Sequence, residues 1–266
     1  MFFYEEAKDF LMFRPLPFTV IVPTVYGLML VNRHDINQTN ALFKTGAAID
    51  HDEITMLAHL LRKCNPNPVF VDVGANVGTY SIALASIVGP LGKVHSFEPQ
   101  RIIYNMLAGS VALNSLTNVY CYNAALGDHE GTIELPQFDY SRPLNFGSIE
   151  FGPVQREQLE QVRAHDPTRV EFAPLTTLDH LGWERVDLIK IDVEGMEIEV
   201  ISGARTTIQR CRPILYVEFL KNDRSALREL IAGLGYVLFN VGVNVLSIPS
   251  ESSGLLTAAR EVLAPR

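Results

Sequence analysis

From residue 69 onward the hydrophobic pattern switches repeatedly between short β-branched runs and segments of helical period. Val69-Phe70-Val71-Asp72-Val73 is a buried-strand run; Gly74 to Gly78 follow, then a helical segment, Thr79 to Val88, closed by Gly89-Pro90. Lys93–Phe97 predicts a second strand, Gln100–Leu113 a second helix and Val119–Asn123 a third strand. The later half repeats the alternation, with strands over Val186–Ile191 and Pro213–Phe219 and helices over Gly195–Gln209 and Arg224–Leu234. On the first of these helices Met196, Val200, Ala204 and Ile208 recur every four residues and share one face. Tyr236–Asn240 and Asn244–Ile248 flank Val241-Gly242-Val243 as a hairpin. Such alternation predicts the α/β class, a doubly wound, Rossmann-like and mostly parallel sheet with helices on both faces. The C-terminal hairpin would give that sheet an antiparallel edge.

Two stretches fall outside the alternation. The N-terminal extension, residues 1–52, carries strand-like residues over Thr19–Val31 and leads into a helix over Asp52–Leu61. The main domain, 53–250, contains a proline-rich insertion at 136–175, with one helix expected near Gln155–Ala164. Because this insertion follows the third parallel strand, its base belongs near the carboxyl edge of the sheet, where ligands bind. A lid is the preferred reading, a solvated excursion the bland one. Residues 251–266 form a helical tail, centred on Leu255–Leu263.

Composition narrows the function classes. The chain has 266 residues, 47% of them apolar, so it can bury a core without disulfides or metal. A net charge of −8 argues against a nucleic-acid binder, which shows a basic patch. Cys64, Cys121 and Cys211 are odd in number and without a CxxC spacing, which indicates neither a disulfide framework nor a zinc ribbon. A reducing, cytoplasmic setting is the expectation, since the first residues lack a basic n-region. Phe18–Val31, interrupted by Pro23 and Gly27, is too short to span a bilayer. Phe2, Phe3, Phe10, Phe13 and the tail are candidate contacts of a homo-oligomer, although packing against their own domain is the commoner outcome.

The chemistry concentrates at strand ends. Asp72-Val73-Gly74-Ala75-Asn76-Val77-Gly78 follows a strand and opens a helix. Gly74 lets the backbone turn sharply beneath a ligand, and Gly78 lets the helix begin close to the strand. The spacing is Gly-x-x-x-Gly rather than the Gly-x-Gly-x-x-Gly of dinucleotide sites, and Asp72 is a poor neighbour for phosphate but a good one for an ammonium group. Glu98, in Phe97-Glu98-Pro99, lies 24 positions after Gly74, where an acid that accepts from ribose hydroxyls is expected. S-adenosylmethionine fits this pattern: a ribose for Glu98, an ammonium near Asp72 and no phosphates. At the third strand's tip Asn123 and Ala124 should border the adenine. Asp192 and Glu194, two apart in Ile191-Asp192-Val193-Glu194-Gly195, project from one side of an extended chain near the reactive end of the cofactor. Glu194 serves equally well to stabilise the following helix. Glu218, inside an apolar strand, could face the same cleft, with Lys190 or Arg212 as its partner.

The four blocks Val71–Gly78, Phe97-Glu98-Pro99, Thr177-Leu178-Asp179 and Ile189–Gly195, the last followed by Ser202-Gly203-Ala204, resemble the FkbM-type methyltransferases over about residues 53 to 220. The resemblance implies the class I methyltransferase fold, S-adenosylmethionine as cofactor and O-methylation of a sugar or natural-product-like small molecule. It matches Asp72, Gly74, Asn76, Gly78 and Glu98 to the cofactor side, and Asp192 and Glu194 to the transfer site. Asp192 is then the base or hydroxyl-orienting group, assisted by Glu194. A metal between Asp192 and another acid is the mechanistic alternative; no His has a repeated ligand spacing, so no metal site is assigned. Neither a nucleic-acid nor a membrane partner is expected. A nicotinamide-dependent oxidoreductase and a non-catalytic cofactor-binding module are the rival classes. The missing third glycine and Asp72 disfavour the first, and the acids at 192 and 194 disfavour the second.

Overall fold

The computed structural model describes residues 16–150 and 170–264. In chain order the elements are β1 (Thr19–Thr24), β2 (Gly27–Asn32), α1 (Gln38–Thr45), α2 (His51–Leu61), β3 (Val69–Val73), α3 (Thr79–Val88), β4 (Lys93–Phe97), α4 (Arg101–Leu113) and β5 (Val119–Tyr122). There follow β6 (Ala125–Leu126), β7 (Gly131–Pro136), β8 (Val170–Thr176), β9 (Leu188–Ile191), α5 (Glu197–Gly203), α6 (Arg205–Cys211), β10 (Ile214–Glu218), α7 (Arg224–Gly233), β11 (Tyr236–Val241), β12 (Asn244–Pro249) and α8 (Ser253–Leu263).

Seven strands form the main sheet in the order β11-β12-β10-β9-β3-β4-β5. The five from β10 to β5 run parallel, while β12 is antiparallel to both β10 and β11. The order reverses between β3 and β9, so ligand-binding loops gather at the carboxyl ends of these two strands. Both faces are covered, and therefore the central strands read as nearly continuous apolar runs. Phe70, Leu188, Ile214 and Leu246 face α2, α3 and α8, whereas Val71, Val73, Ile189, Ile191, Leu215 and Val217 face α5, α6 and α7.

The N-terminal ribbon β1–β2 is docked rather than loose. Ser110 of α4 and Asn114, which follows the helix, accept from the N–H groups of Leu30 and Leu28 (2.8 and 2.9 Å), and Met29 and Val31 pack with Ile103 and Met106. Two expectations change. The helix read over Gly195–Gln209 is two helices, because Asp179 accepts from the N–H groups of Thr206 and Thr207 (2.8 and 2.7 Å) and starts a second one there. The base of the proline-rich insertion is a second sheet, β6-β8-β7, in which Leu135 pairs with Glu171 and Pro136 with Val170. The helix expected near Gln155–Ala164 lies outside the described residues. Among the described residues no helix is long and apolar enough to cross a membrane.

Candidate active site

A cleft of about 570 Å³, open to solvent, lies over the carboxyl ends of β3, β4 and β9. Gly74, Asn76, Glu98, Gln100, Ala124, Gly147, Asp192 and Glu194 are among the residues lining it, and among the described residues no Lys or Arg lines it.

The floor is the glycine turn. Gly74 has φ +75°, and a Cβ there would come within 1.8 Å of the Asp192 carbonyl oxygen, so the β3 turn and the β9 end touch backbone to backbone. Asn76 shares the left-handed conformation at φ +50°. Its N–H donates to Glu98 Oε2 (3.0 Å), while the Gln100 N–H donates to Oε1 (2.9 Å). Glu98 is only 4% exposed, and burial pushes its carboxyl up to about 7 against the lowering effect of those two N–H groups. Each oxygen keeps a lone pair for a ligand donor. Gln100 adds a second acceptor: its Nε2 donates to the Phe146 carbonyl (2.9 Å), and its buried Oε1 has no partner. This donor-poor wall suits a nucleoside, whose ribose hydroxyls and exocyclic amine are donors. S-adenosylmethionine therefore fits the residues present, with Glu98 and Gln100 as the groups that would hold it.

The opposite wall is acidic. Asp192 has a side chain 38% exposed and sits 3.2 Å from Lys190 Nζ. Glu194, in the left-handed region at φ +57°, pairs with Lys221 at 2.6 Å. Lys221 Nζ also donates to the Ser148 carbonyl (2.9 Å), tying the 3₁₀ turn Phe146–Ser148 across the cleft. The other end of that segment is held by Asp35, whose Oδ2 accepts from the Phe146 N–H (3.3 Å). Among the described residues no group of three or more His, Cys, Asp or Glu is arranged to hold a metal ion.

Two expected ligand residues do not reach the cleft. Asp72 is 0% exposed and points under the turn, where Ser81 donates to it and Lys190 Nζ lies 3.6 Å away. Strand alternation explains this, since Val71 and Val73 face one layer and Asp72 the other. The Asn123 amide donates to the carbonyls of Glu98 and Pro99 (3.0 and 2.8 Å), bracing the glutamate's turn rather than an adenine. Gly78 begins α3 at φ +93° beneath the turn, and Ala124 lines the cleft as expected. Gln100, Lys221 and Asp35 are additions from the structure. Arg212 pairs with Glu251 and Lys190 with Asp72 and Asp192, so neither is hydrogen-bonded to Glu218.

The sheet order, the glycine turn and the glutamate at the end of the second parallel strand together define the class I methyltransferase fold. Residues 72–238 match the model of the methyltransferase FkbM domain, and the chain belongs to that family. Methyltransferase sdnD of Sordaria araneosa is 31% identical over 159 residues, covering 52% of this chain and 60% of that protein. The 2-O-methyltransferase NoeI of Sinorhizobium fredii (strain NBRC 101917 / NGR234) is 28% identical over 178 residues, 61% of this chain and 67% of that one. The chain thus spans about 60% of the length of the first of these relatives. A crystal structure of methyltransferase FkbM from Methylobacillus flagellatus KT superposes with a TM-score of 0.47 at 16% identity, covering 68% of this chain and 43% of that one.

Proposed function

We propose that the protein is an S-adenosylmethionine-dependent O-methyltransferase acting on a hydroxyl of a sugar or natural-product-like small molecule. The observation that carries this reading is a cleft with acidic side chains on both walls and, among the described residues, no Lys or Arg in its lining, set over a glycine turn beside a buried glutamate. Such a wall repels a pyrophosphate and accepts a nucleoside bearing a positive charge. The family membership and the likeness to a 2-O-methyltransferase support the oxygen acceptor. When bound, the cofactor supplies an electrophilic methyl carbon on a sulfonium.

The chain's own residues then align and deprotonate. Glu98 and Gln100 fix the nucleoside end. Asp192, at the end of β9 and in contact with the turn, orients the acceptor hydroxyl and takes its proton; Lys190 Nζ lies 3.2 Å from it and fixes its position. Glu194, anchored by Lys221, sets the acidic rim. Calorimetry with S-adenosylhomocysteine tests the reading: wild type binds, Glu98→Gln binds much more weakly, and Asp192→Asn binds normally without turning over. Wild-type protein that ignores S-adenosylhomocysteine, or binds a nicotinamide dinucleotide more tightly, would remove it.

A further inference from the structure

Glu218 ends β10, one strand beyond Asp192. Val217 pairs with Ile191 in parallel register, and both side chains belong to the same core layer. The next residues on the two strands, Glu218 and Asp192, therefore turn together toward the opposite face. Neighbouring strands lie ~4.8 Å apart, so the two carboxyl groups stand side by side. Glu218 Oε2 is buried and has no hydrogen-bond partner. Two residues back on the same face, Tyr216 is 1% exposed, and its hydroxyl completes no hydrogen bond although the Asn244 amide lies near it. Asp50, Glu53 and Asp192 are the charged groups around that hydroxyl. Native structures rarely leave buried polar atoms unanswered, and Glu218 Oε2, one strand from Asp192, is placed to take a ligand's hydroxyl.

Charge decides what kind of ligand. Asp192, Glu194 and Glu197 surround Glu218 and, after burial itself, are what push its carboxyl up to about 9. The nearby cations are already engaged: Lys190 is shared between Asp72 and Asp192, and Lys221 pairs with Glu194. A protonated carboxyl both donates and accepts.

Resting on the function proposed above, we propose that Glu218 is an acceptor-binding residue: Asp192 takes the hydroxyl to be methylated and Glu218 the adjacent one of an uncharged vicinal diol. A lone alcohol lacks the second contact. A carboxylated or phosphorylated acceptor meets carboxylates.

The experiment measures transfer of a labelled methyl group from S-adenosylmethionine, with binding of S-adenosylhomocysteine followed separately by calorimetry. Three probes are offered: methyl mannopyranoside as vicinal diol, cyclohexanol as lone hydroxyl, and the matching uronate as anion. Wild type is expected to use the diol and to prefer it over both others by about tenfold or more in kcat/KM, the worth of one good hydrogen bond. Glu218→Ala should raise KM for the diol about tenfold with little change in kcat. Glu218→Gln, which keeps a donor and an acceptor, should restore it to within about threefold. Should Glu218→Ala not fold, Glu218→Leu, which fills the space, makes the same comparison. Equal use of diol and lone alcohol, preference for the uronate, no transfer to the diol by protein that binds S-adenosylhomocysteine, or an unchanged KM in the folded Ala or Leu variant would each overturn the assignment. Absence of S-adenosylhomocysteine binding in wild type would instead strike the cofactor reading on which it rests.

Discussion

The two walls of the cleft solve the burial of acids in different ways. On the glycine-turn side, Glu98 is satisfied by main-chain N–H groups from Asn76 and Gln100, and the Asn123 amide braces its backbone. On the far side, Asp192 and Glu194 are held by lysine side chains, and Glu218 has an oxygen with no hydrogen-bond partner. Backbone donors cannot be lost by drift in sequence, so the first wall can recognise an invariant ligand. Side-chain partners can be exchanged one by one, which suits a wall that must meet a variable acceptor.

The sharpest way to break this contrast is Asp192→Asn. Loss of a positioned base costs about 10²–10⁴-fold in rate, and affinity for S-adenosylhomocysteine should stay within about threefold. Equal losses of binding and turnover would mean that the walls are not separate. Next in size is Glu98→Gln, expected to weaken S-adenosylhomocysteine about 10–100-fold by calorimetry, the range for one hydrogen bond to a charged acceptor.

Acidity separates the walls further. Ribose hydroxyls favour the ionised form of Glu98, whose carboxyl sits at about 7, so affinity should rise as pH passes upward through 7, and this slope should vanish in Glu98→Gln. Stability runs the opposite way. Glu98 and Glu218 have native values, about 7 and about 9, raised above the ordinary 4.5, so the folded chain binds more protons than the unfolded one between 4.5 and those values. Their contribution to stability is then lost as pH rises through that window. Glu218→Gln should flatten the fall of Tm between pH 5 and pH 9, read by thermal denaturation in ~1-unit pH steps. The smallest effect expected is for Asp179→Ala, about 1 kcal/mol of stability for a lost helix cap, with both walls unchanged in calorimetry.

Much of this was legible in the chain. Buried strands such as Val69–Val73 and Leu188–Ile191 carry apolar runs too dense to read otherwise, and the residues after them inherit a place at the sheet edge. That logic located Gly74, Glu98, Ala124, Asp192 and Glu194. Nearness in sequence puts Asp72 at the same edge, while the strand's period of two turns its side chain beneath the glycine turn. The α1 helix escaped because it buries only Thr39 and Leu42 and shows no apolar stripe. The β7–β8 pairing joins residues on either side of a long insertion, and no local pattern announces such a partner. Gln100, Lys221 and Asp35 matter through contacts with the distant Phe146–Ser148 turn, a relation that only the folded chain makes visible.

Lys190 carries one further consequence. Its ammonium group donates to the Gly74 carbonyl at 2.9 Å while serving both Asp72 beneath the turn and Asp192 above it. Removing one member of a buried charged set typically costs about 3–5 kcal/mol, because the survivor is stranded. Descendants of this protein are thus expected to keep residues 72 and 190 as they are or to replace them in concert. Inheritance of the scaffold and inheritance of the reactive carboxylate are knotted at a single side chain.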